Sequence, residues 1–240
     1  MKVLSIGDLH FPFENKKLIK EIIKQIRIEK PNVIIQLGDL FDQYMYGRYD
    51  KNLSVIQPDS ELEKAKAKAI KFWNDVKKAS PRSKKIQLLG NHDVRMLVQT
   101  LKKFPEVYHV MQEAHENLYD FKGVEVKKSD KDFVKYFDTV YCHGWAATHM
   151  AHFRSNVIRA HDHKAWMKVV PASNKIEGGG LKFLESYKLV KNDNFSFEIS
   201  AGMFGDESQL PFGYVNSRRT NWRPAIVIET EEYVELRILG

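Results

Sequence analysis

Four short polar motifs, each following a largely apolar run, constrain this sequence most. They begin at Asp8, Asp39, Asn91 and His143, and glycine directly precedes the first three. A short apolar run that ends at glycine, such as residues 3–6, is typical of a buried strand. The motifs therefore lie where strands end, and in α/β sheets the crevice at the carboxyl ends of the strands is where sites form. We expect the polar side chains to converge there.

The order of the predicted elements, early βαβ units followed by strands, predicts two sheets packed face to face with helices outside. Residues 2–6 and 33–37 are predicted strands, and the helix between them, from about Asn15, implies a parallel crossover. Residues 43–59 are predicted to be a long loop, and Ser60 with Glu63 matches a capping box. Further helices are predicted over 60–79 and 94–103, and 149–155 is helix or loop. Further strands are predicted over 85–89, 124–126, 132–136, 139–142, 157–160, 166–170, 183–190, 195–200, 225–229 and 233–238.

Length and composition favour one globular domain. The 240 residues are 43% hydrophobic and carry a net charge of +7, which favours an anionic partner. No apolar run approaches the roughly 18 residues that span a bilayer, so we expect no membrane partner. Cys142 is the only cysteine, which excludes an intrachain disulfide and favours a reducing, cytoplasmic location. A signal peptide would remove Gly7 and Asp8, so none is expected.

The polar residues of the motifs have the chemistry of metal ligands. Carboxylate, imidazole and carboxamide groups suit divalent ions, with Mn²⁺ favoured and Fe²⁺, Zn²⁺ or Ni²⁺ as alternatives. Seven candidates are too many for one tetrahedral ion, so two ions are the natural interpretation, and such a pair can clamp a phosphoryl group. Asp39 is the candidate to bridge them. The candidate ligands are Asp8, His10, Asp39, Asn91, His143, His161 and His163.

Each motif also has an ordinary structural explanation. Segment 38–42 could form only a turn with an aspartate cap, and Asn91 could cap the helix that follows it. His161 and His163 could lie in an exposed turn. Taken together, and each after a strand-like run, the motifs fit one site better than they fit these separate explanations.

The motif set resembles the calcineurin-like metallophosphoesterases. The family pattern is Asp-x-His, Gly-Asp-x-x-Asp, Gly-Asn-His-Asp/Glu, a lone His and Gly-His-x-His. The matches in this sequence are Asp8 with His10, 38–42, 90–93, His143 and 160–163. The one departure is Ala160, because the family has glycine there, which allows φ > 0 and close backbone approach. We expect a slightly different turn at this point and an intact ligand pair.

The resemblance implies a fold and a reaction. The fold is α/β, an αββα four-layer sandwich of two mixed β-sheets flanked by helices. It would form one domain over 1–240, with motifs in 1–170, and second-sheet strands and C-terminal loops in 171–240. The reaction is hydrolysis of a phosphoester by a metal-bound hydroxide. Asp8, His10, Asp39 and His163 would hold one ion; Asp39, Asn91, His143 and His161 would hold the other.

Three more residues acquire roles from the resemblance. His92 would contact the phosphate and help to protonate or stabilise the leaving oxygen. Asp93 would belong to the catalytic pair by orienting His92, and Asp42 would support the ligands from behind.

Basic and aromatic regions favour a nucleic-acid phosphodiester, DNA or RNA, as the substrate. Segment 61–85 carries nine Lys and Arg residues against three acids, so the positive charge is localised. The loop after Asp42 mixes aromatic rings with cations, which could stack bases and hold phosphates. A second such mixture spans 204–223. The candidate substrate contacts are Tyr44, Arg48, Tyr49 and His149.

The alternatives for these regions stay open at this point. A lysine-rich helix can be only a solvated face, and the loop tyrosines can pack onto the body. A phosphomonoesterase acting on phosphoprotein or nucleotide also suits a basic rim, and a non-catalytic scaffold of the same fold is a further possibility. The complete set of seven ligands, with His92 also present, favours an enzyme. Cys142 lies in an apolar run and is expected to be a buried small hydrophobe.

Overall fold

Helices and strands alternate early in the chain and strands dominate later, in a computed structural model that describes residues 1–48, 51, 58–144, 150–171, 186–192, 195–206, 208 and 222–240. Within these residues the helices are α1 (Lys16–Glu29), α2 (Pro58–Ala79), α3 (Arg95–Lys103), α4 (Tyr108–Leu118) and α5 (Met150–Phe153). The strands are β1 (Lys2–Ile6), β2 (Val33–Gln36), β3 (Lys84–Gln87), β4 (Glu125–Val126), β5 (Phe133–Tyr136), β6 (Thr139–Cys142), β7 (Asn156–Arg159), β8 (Trp166–Pro171), β9 (Ser186–Val190), β10 (Phe195–Ser200), β11 (Ala225–Thr230) and β12 (Tyr233–Ile238).

The strands form two mixed sheets. The first has seven strands in the order β4-β3-β2-β1-β11-β12-β9, and the second has five in the order β5-β6-β7-β10-β8. Strands β1 to β4 are parallel, with Val3 opposite Val33 in β2, and β11 pairs antiparallel to β1. In the second sheet β7 lies parallel to both neighbours. The carboxyl ends of β1, β2 and β3 therefore meet at one edge.

Alternate residues of the strands build the separate layers, because successive side chains point to opposite faces. Val3 and Ile35 face the second sheet and pack with Phe197 and Ile199 in the core between the sheets. Their neighbours face outwards and join a second core under α1 and α2 (Leu4, Ile34, Ile22, Ile26, Phe72). Helix α5 covers the outer side of β6 and β7. This arrangement confirms the four-layer αββα sandwich.

Cys142 is buried in this outer layer under α5. Burial raises the pKa of its thiol to about 12, so the side chain is a neutral small hydrophobe, as expected. None of the helices in the described residues combines the length and the apolarity needed to cross a bilayer.

Two expectations about the elements are wrong, and one helix was missed. Helix α2 begins at Pro58, a residue suited to a first helical turn, so Ser60 lies inside the helix and not at its N-cap. Helix α4 was not predicted, because His115 is its one buried residue and its apolar pattern is weak. The C-terminal strands were expected in the second sheet, whereas β9, β11 and β12 extend the first sheet beside β1.

Candidate metal centre

Five strand ends bring the motifs together. The loops after β1, β2 and β3 carry Asp8, Asp39 and Asn91, and those after β6 and β7 carry His143 and His161. The backbone N–H groups of residues 9 and 10 both donate to the carbonyl of Asp39, at 3.1 and 3.0 Å. The N–H of residue 160 donates to the carbonyl of His143 at 3.0 Å. Each loop is thus fixed by the loop beside it.

Two glycines allow these loops to approach one another. A Cβ at Gly38, where φ is +105°, would lie 2.7 Å from His143 Nδ1 and from the backbone N of Gly90. A Cβ at Gly90 would overlap the carboxylate of Asp39. The Gly-Asp and Gly-Asn pairs therefore keep side-chain volume out of the space that the polar groups occupy.

The first ligand group, here called the buried group, consists of Asp8, His10 and His163. His10 Nε2 lies 3.2 Å from His163 Nε2, and His163 Nε2 lies 3.6 Å from Asp8 Oδ2. One potential ligand atom from each of the three lies within 4.8 Å of the others, and all three side chains are buried. Two imidazole nitrogens and a carboxylate oxygen that converge in this way form a cation-binding geometry.

The second ligand group, here called the open group, consists of Asn91, His143 and His161. Asn91 Oδ1 lies 3.0 Å from His143 Nε2 and 2.7 Å from His161 Nδ1. The two histidine nitrogens are 3.3 Å apart. Asn91 and His161 are half-buried, so this group reaches the surface.

Asp39 lies beside both groups. Its Oδ2 atom is 3.4 Å from His143 Nε2, and a carboxylate oxygen of Asp39 also lies within 4.8 Å of a His10 nitrogen. Burial alone raises the pKa of Asp39, but the neighbouring His143 and His92 outweigh burial and hold this pKa well below its ordinary value. This buried carboxylate is therefore charged, and its Oδ2 accepts no hydrogen bond within the part of the chain that the structure describes.

The open group is suited to a cation. The carbonyl of Leu37 lies 3.1 Å from His143 Nδ1, so Nδ1 carries a proton and donates it. The other nitrogen, Nε2, then points its lone pair at the oxygen of Asn91 and at Asp39, which is repulsive unless a cation binds there. When no ion is bound, a proton fills this role. Burial alone lowers the pKa of His143, but the carboxylate of Asp39 outweighs burial and raises this pKa to about 9. The donor set fits a divalent metal ion.

Backbone conformation aims several of these side chains. His10, Asp39, His161 and His163 all have positive φ, at 51°, 52°, 76° and 59°. Each such non-glycine residue costs about 1–3 kcal/mol and is typical of functional sites. Ala160 is not one of the residues with positive φ, and it is fully buried. The left-handed residue is His161, one position later, so alanine fits where the family pattern has glycine.

Asp42 and His92 form a contact behind the two groups. Asp42 Oδ1 lies 3.3 Å from His92 Nδ1, and Asp42 Oδ2 lies 3.6 Å from His10 Nδ1. Burial raises the pKa of Asp42, but the two histidines outweigh burial and lower it. His92 Nε2 lies 3.9 Å from Asp39 Oδ2, so its ring borders the space between the groups. Burial lowers the pKa of His92.

Asp93 does not orient His92, contrary to the sequence-based expectation. Both of its oxygens accept other hydrogen bonds: Oδ2 from the N–H of Gly90 at 2.8 Å, and Oδ1 from the N–H of Phe41 at 2.9 Å and the hydroxyl of Tyr119 at 2.7 Å. Asp93 therefore ties together the loops after β2 and β3. The structure gives the orienting contact with His92 to Asp42.

Comparison with known proteins identifies the family. The family model of the calcineurin-like phosphoesterases matches residues 1–191. The chain belongs to this family. It is a metal-dependent hydrolase of phosphoesters, and the implied metal ions are divalent.

Individual relatives are distant. The Gene 54 protein of Mycobacterium phage D29 is 27% identical over 192 residues, which are 70% of this chain and 71% of that protein. The Gene 54 protein of Mycobacterium phage L5 is 26% identical over 193 residues, with the same coverage. Among solved structures, the Escherichia coli phosphoesterase YfcE has 11% identity and a TM-score of 0.43, covering 96% of this chain and 89% of that chain. A mutant of Vps29 from Entamoeba histolytica has 11% identity and a TM-score of 0.41, covering 95% and 84%.

The expected substrate contacts of this phosphoesterase divide into three classes. Tyr44 is wrong as a substrate contact, because it is buried and packs against Phe13 and Met203. Arg48 is exposed. Tyr49 and His149 lie outside the described residues. The basic segment 61–85 is also less exposed than expected, because Lys85 is buried and donates to the carbonyls of residues 80 and 83.

Sequence reasoning missed several residues that position the site. Gln36 donates from Nε2 to the carbonyls of residues 7 and 38, and its Oε1 accepts the N–H of Gly38. Its signal was a polar residue inside an apolar strand. Arg159 is buried and binds Glu198 at 3.0 Å and Asp162 at 2.8 Å, which fixes the turn between His161 and His163. Trp222 packs edge-on against His163, with ring centroids 4.9 Å apart.

Proposed function

We propose that this phosphoesterase binds two divalent ions, preferably Mn²⁺, and hydrolyses phosphodiester bonds of DNA or RNA. The observation that carries the two-ion proposal is Asp39, a buried, charged carboxylate within reach of both ligand groups. A carboxylate between two such groups is suited to bridge two ions. In this proposal the buried group holds one ion and the open group holds the other.

The ions, when bound, supply an activated water and neutralise charge on the phosphoryl oxygens. The residues of the chain do the rest. Asp42 holds His92 through Nδ1 at 3.3 Å, which presents Nε2 to a phosphate located between the groups. When Nε2 carries a proton, His92 can hydrogen-bond the phosphoryl or leaving oxygen. Asp93 maintains the loop geometry rather than taking part in the chemistry.

A basic groove between two helices supports a polyanionic substrate. It lies between α1 and α2, has a volume of about 470 Å³, and adjoins Phe11, next to His10 in the chain. Its two acidic residues, Glu14 and Asp75, pair with Lys68 and Lys71. On α1 the cations recur on one face over about 16 Å at 1.5 Å per residue, and such stripes bind phosphate backbones. The cations that line the groove are Lys16, Lys20, Lys24, Arg27, Lys68 and Lys71.

A substrate panel tests this proposal. The chain is assayed with Mn²⁺ on single-stranded DNA, RNA, a 3′-phosphorylated oligonucleotide, a cyclic nucleotide, a phosphopeptide and an aryl phosphodiester. We expect the chain to hydrolyse the oligonucleotides. The substitutions Asp39→Asn and His143→Ala should each abolish this hydrolysis. His109→Ala is the matched control, because His109 is exposed on α4, and it should retain full activity.

Two outcomes would contradict parts of the proposal. Activity confined to the phosphopeptide would identify a phosphomonoesterase, and activity confined to the cyclic nucleotide would identify a phosphodiesterase of small substrates. Either result would overturn the nucleic-acid substrate. Full activity after removal of metal would overturn the mechanism. Charge reversal at Lys16, Lys20 and Arg27 isolates the groove: oligonucleotide hydrolysis should fall about tenfold while aryl phosphodiester hydrolysis stays unchanged.

A further inference from the structure

Arg95 lies outside the polar motifs and contacts both Asp42 and His92, the residues behind the ligand groups. Its Nη2 donates to His92 Nε2 at 2.5 Å. Its Nη1 donates to the backbone carbonyl and to Oδ1 of Asp42, both at 3.1 Å. Arg95 is the first residue of α3 and follows directly on the loop that carries Asn91 and His92. Its position is therefore set by the same loop as the candidate ligand.

These contacts fix the hydrogen-bonding state of His92. A guanidinium has only donors, so the Nε2 atom that it contacts must act as an acceptor. The proton of the neutral ring is then on Nδ1, where Asp42 accepts it. In this arrangement His92 cannot donate to a phosphate, because its acceptor nitrogen is occupied by Arg95. The donor that faces the phosphoryl position is the guanidinium itself.

The side chain of Arg95 is more exposed than that of Arg159, another arginine near the site. The Arg159 side chain is 5% exposed and is enclosed by Glu198 and Asp162, which is a structural arrangement. The Arg95 side chain is 22% exposed, and among the described residues its ion-pair partner is the carboxylate of Asp42. Its Nη2 is separated from the Asp39 carboxylate by one imidazole edge. A partly exposed guanidinium at this place can reach a bound anion.

We propose that Arg95 is a catalytic residue that binds a phosphoryl oxygen of the substrate, exchanging its bond to His92 Nε2 for one to the phosphate. The proposal rests on the proposed function, because it needs a phosphoester between the two ligand groups. The guanidinium fork allows the exchange: Nη1 stays on Asp42 while Nη2 turns to the phosphate. The exchange also frees His92 Nε2, which can then take up a proton from water and donate it in a hydrogen bond to the substrate.

The fork predicts that lysine is a poor replacement. A single ammonium is a point charge and cannot hold Asp42 and a phosphate oxygen in the same planar geometry. Arg95→Lys should therefore recover only part of the function that Arg95→Ala loses. A purely structural ion pair with Asp42 would be restored largely by lysine.

Inhibition by inorganic phosphate tests the proposal. The substrate is an aryl phosphodiester with saturating Mn²⁺, and the variants are Arg95→Ala and Arg95→Lys, with Lys102→Ala in the last turn of α3 as the control. For Arg95→Ala we expect kcat/KM to fall about 10²-fold and the inhibition constant of phosphate to rise at least tenfold. Added guanidinium ion should restore part of the Arg95→Ala activity, and the control should match the unmodified protein.

The readouts separate the possible explanations. An unchanged inhibition constant for phosphate in both variants, with no rescue by guanidinium, would overturn the proposal, whatever happens to kcat. If Arg95→Ala does not fold, as judged by thermal unfolding, the Arg95→Lys inhibition constant carries the test, with a rise of threefold or more expected and no change contradicting it. Failure of the proposed function is distinct, because it appears as activity retained in Asp39→Asn.

Discussion

The two ligand groups are built from similar side chains but differ in their surroundings. All members of the buried group are classed as buried, and His10 Nδ1 is backed by the carboxylate of Asp42. In the open group Asn91 and His161 are half-buried, and His143 Nδ1 is backed by a backbone carbonyl. A carboxylate behind an imidazole makes it a stronger ligand than a carbonyl does. If two ions bind as proposed, this difference predicts that the buried group holds its ion more firmly and that substrate approaches at the open group.

In their pKa values, by contrast, the two groups are similar. Burial raises the pKa of Asp8 to about 7, and the nearby His143 lowers it only in part. The pKa of His143 is raised to about 9 by its carboxylate neighbours despite burial. Both groups thus hold protons near neutral pH when no metal is bound. Metal binding must displace them, so affinity depends on pH.

Removal of one open-group ligand should give the largest effect. His161→Ala leaves Asn91 and His143 with too few donors, and we expect kcat/KM on an aryl phosphodiester to fall at least about 10³-fold because one of two ions is lost. The check is steady-state kinetics at saturating Mn²⁺ beside His109→Ala. If His161→Ala and the control have equal activity, the open group has no part in catalysis.

The pH dependence of metal affinity should be the next largest effect. Because the pKa of His143 is raised to about 9, a proton occupies its ligand nitrogen at neutral pH. Apparent Mn²⁺ affinity at the open group should rise about tenfold per pH unit up to about pH 9. Titration calorimetry in two buffers of different ionisation enthalpy measures the released protons.

Without metal, the raised pKa of His143 should make the stability of the fold decrease as pH rises. A raised histidine pKa stabilises the fold fully below the unfolded value of 6.5 and loses this contribution as pH rises through about 9. His143→Ala should remove this part of the pH dependence of thermal unfolding without metal. A Mn²⁺ affinity at the open group that does not change between pH 6 and 8 would contradict the assignment of the proton to His143.

The support beneath the open group should matter for stability more than for chemistry. Tyr119→Phe removes the hydroxyl that Asp93 Oδ1 accepts, and we expect a loss of about 1–3 kcal/mol in the free energy of unfolding. Activity of the folded variant should change little, because Asp93 acts on loop geometry. Urea unfolding beside Tyr108→Phe measures the difference. A large loss of activity without a loss of stability would return Asp93 to the catalytic residues.

The turn shared by both groups should give the smallest effect. Ala160→Gly adds backbone freedom where positive φ is not needed, since the left-handed residue is His161. We expect destabilisation of about 0.5–1 kcal/mol with unchanged kinetics. A stabilised variant, measured by thermal unfolding, would mean that residue 160 needs the freedom of glycine after all.

Local pattern predicted much of the molecule and non-local pairing explains the rest. The ends of β1, β6, β10 and β12 agree with the predicted ranges because each apolar run is bounded by polar or turn residues. The placement of β11 beside β1 was not predictable, because antiparallel pairing across more than 200 residues leaves no local trace. Helix α4 was missed because it buries little.

In the site, too, local sequence pattern predicted some features, and others depend on how the chain folds. Motif spacing placed the seven candidate ligands at strand ends, and the structure brings them within contact distance. The partner of each histidine was harder to predict, since Asp42 and Asp93 are equally good by sequence and only the loop geometry distinguishes them. Arg95 carries no motif of its own, because a helix-starting arginine is common and its direction is set by the fold.

The number of divalent ions that the protein binds tests the central claim most directly. Native mass spectrometry of the metal-depleted chain, titrated with Mn²⁺ while aryl phosphodiesterase activity is followed, counts the ions and relates them to turnover. The account predicts two Mn²⁺ per chain at saturation, with activity rising as the second ion binds, and less than two in Asp39→Asn. Saturation at one ion per chain with full activity would contradict it.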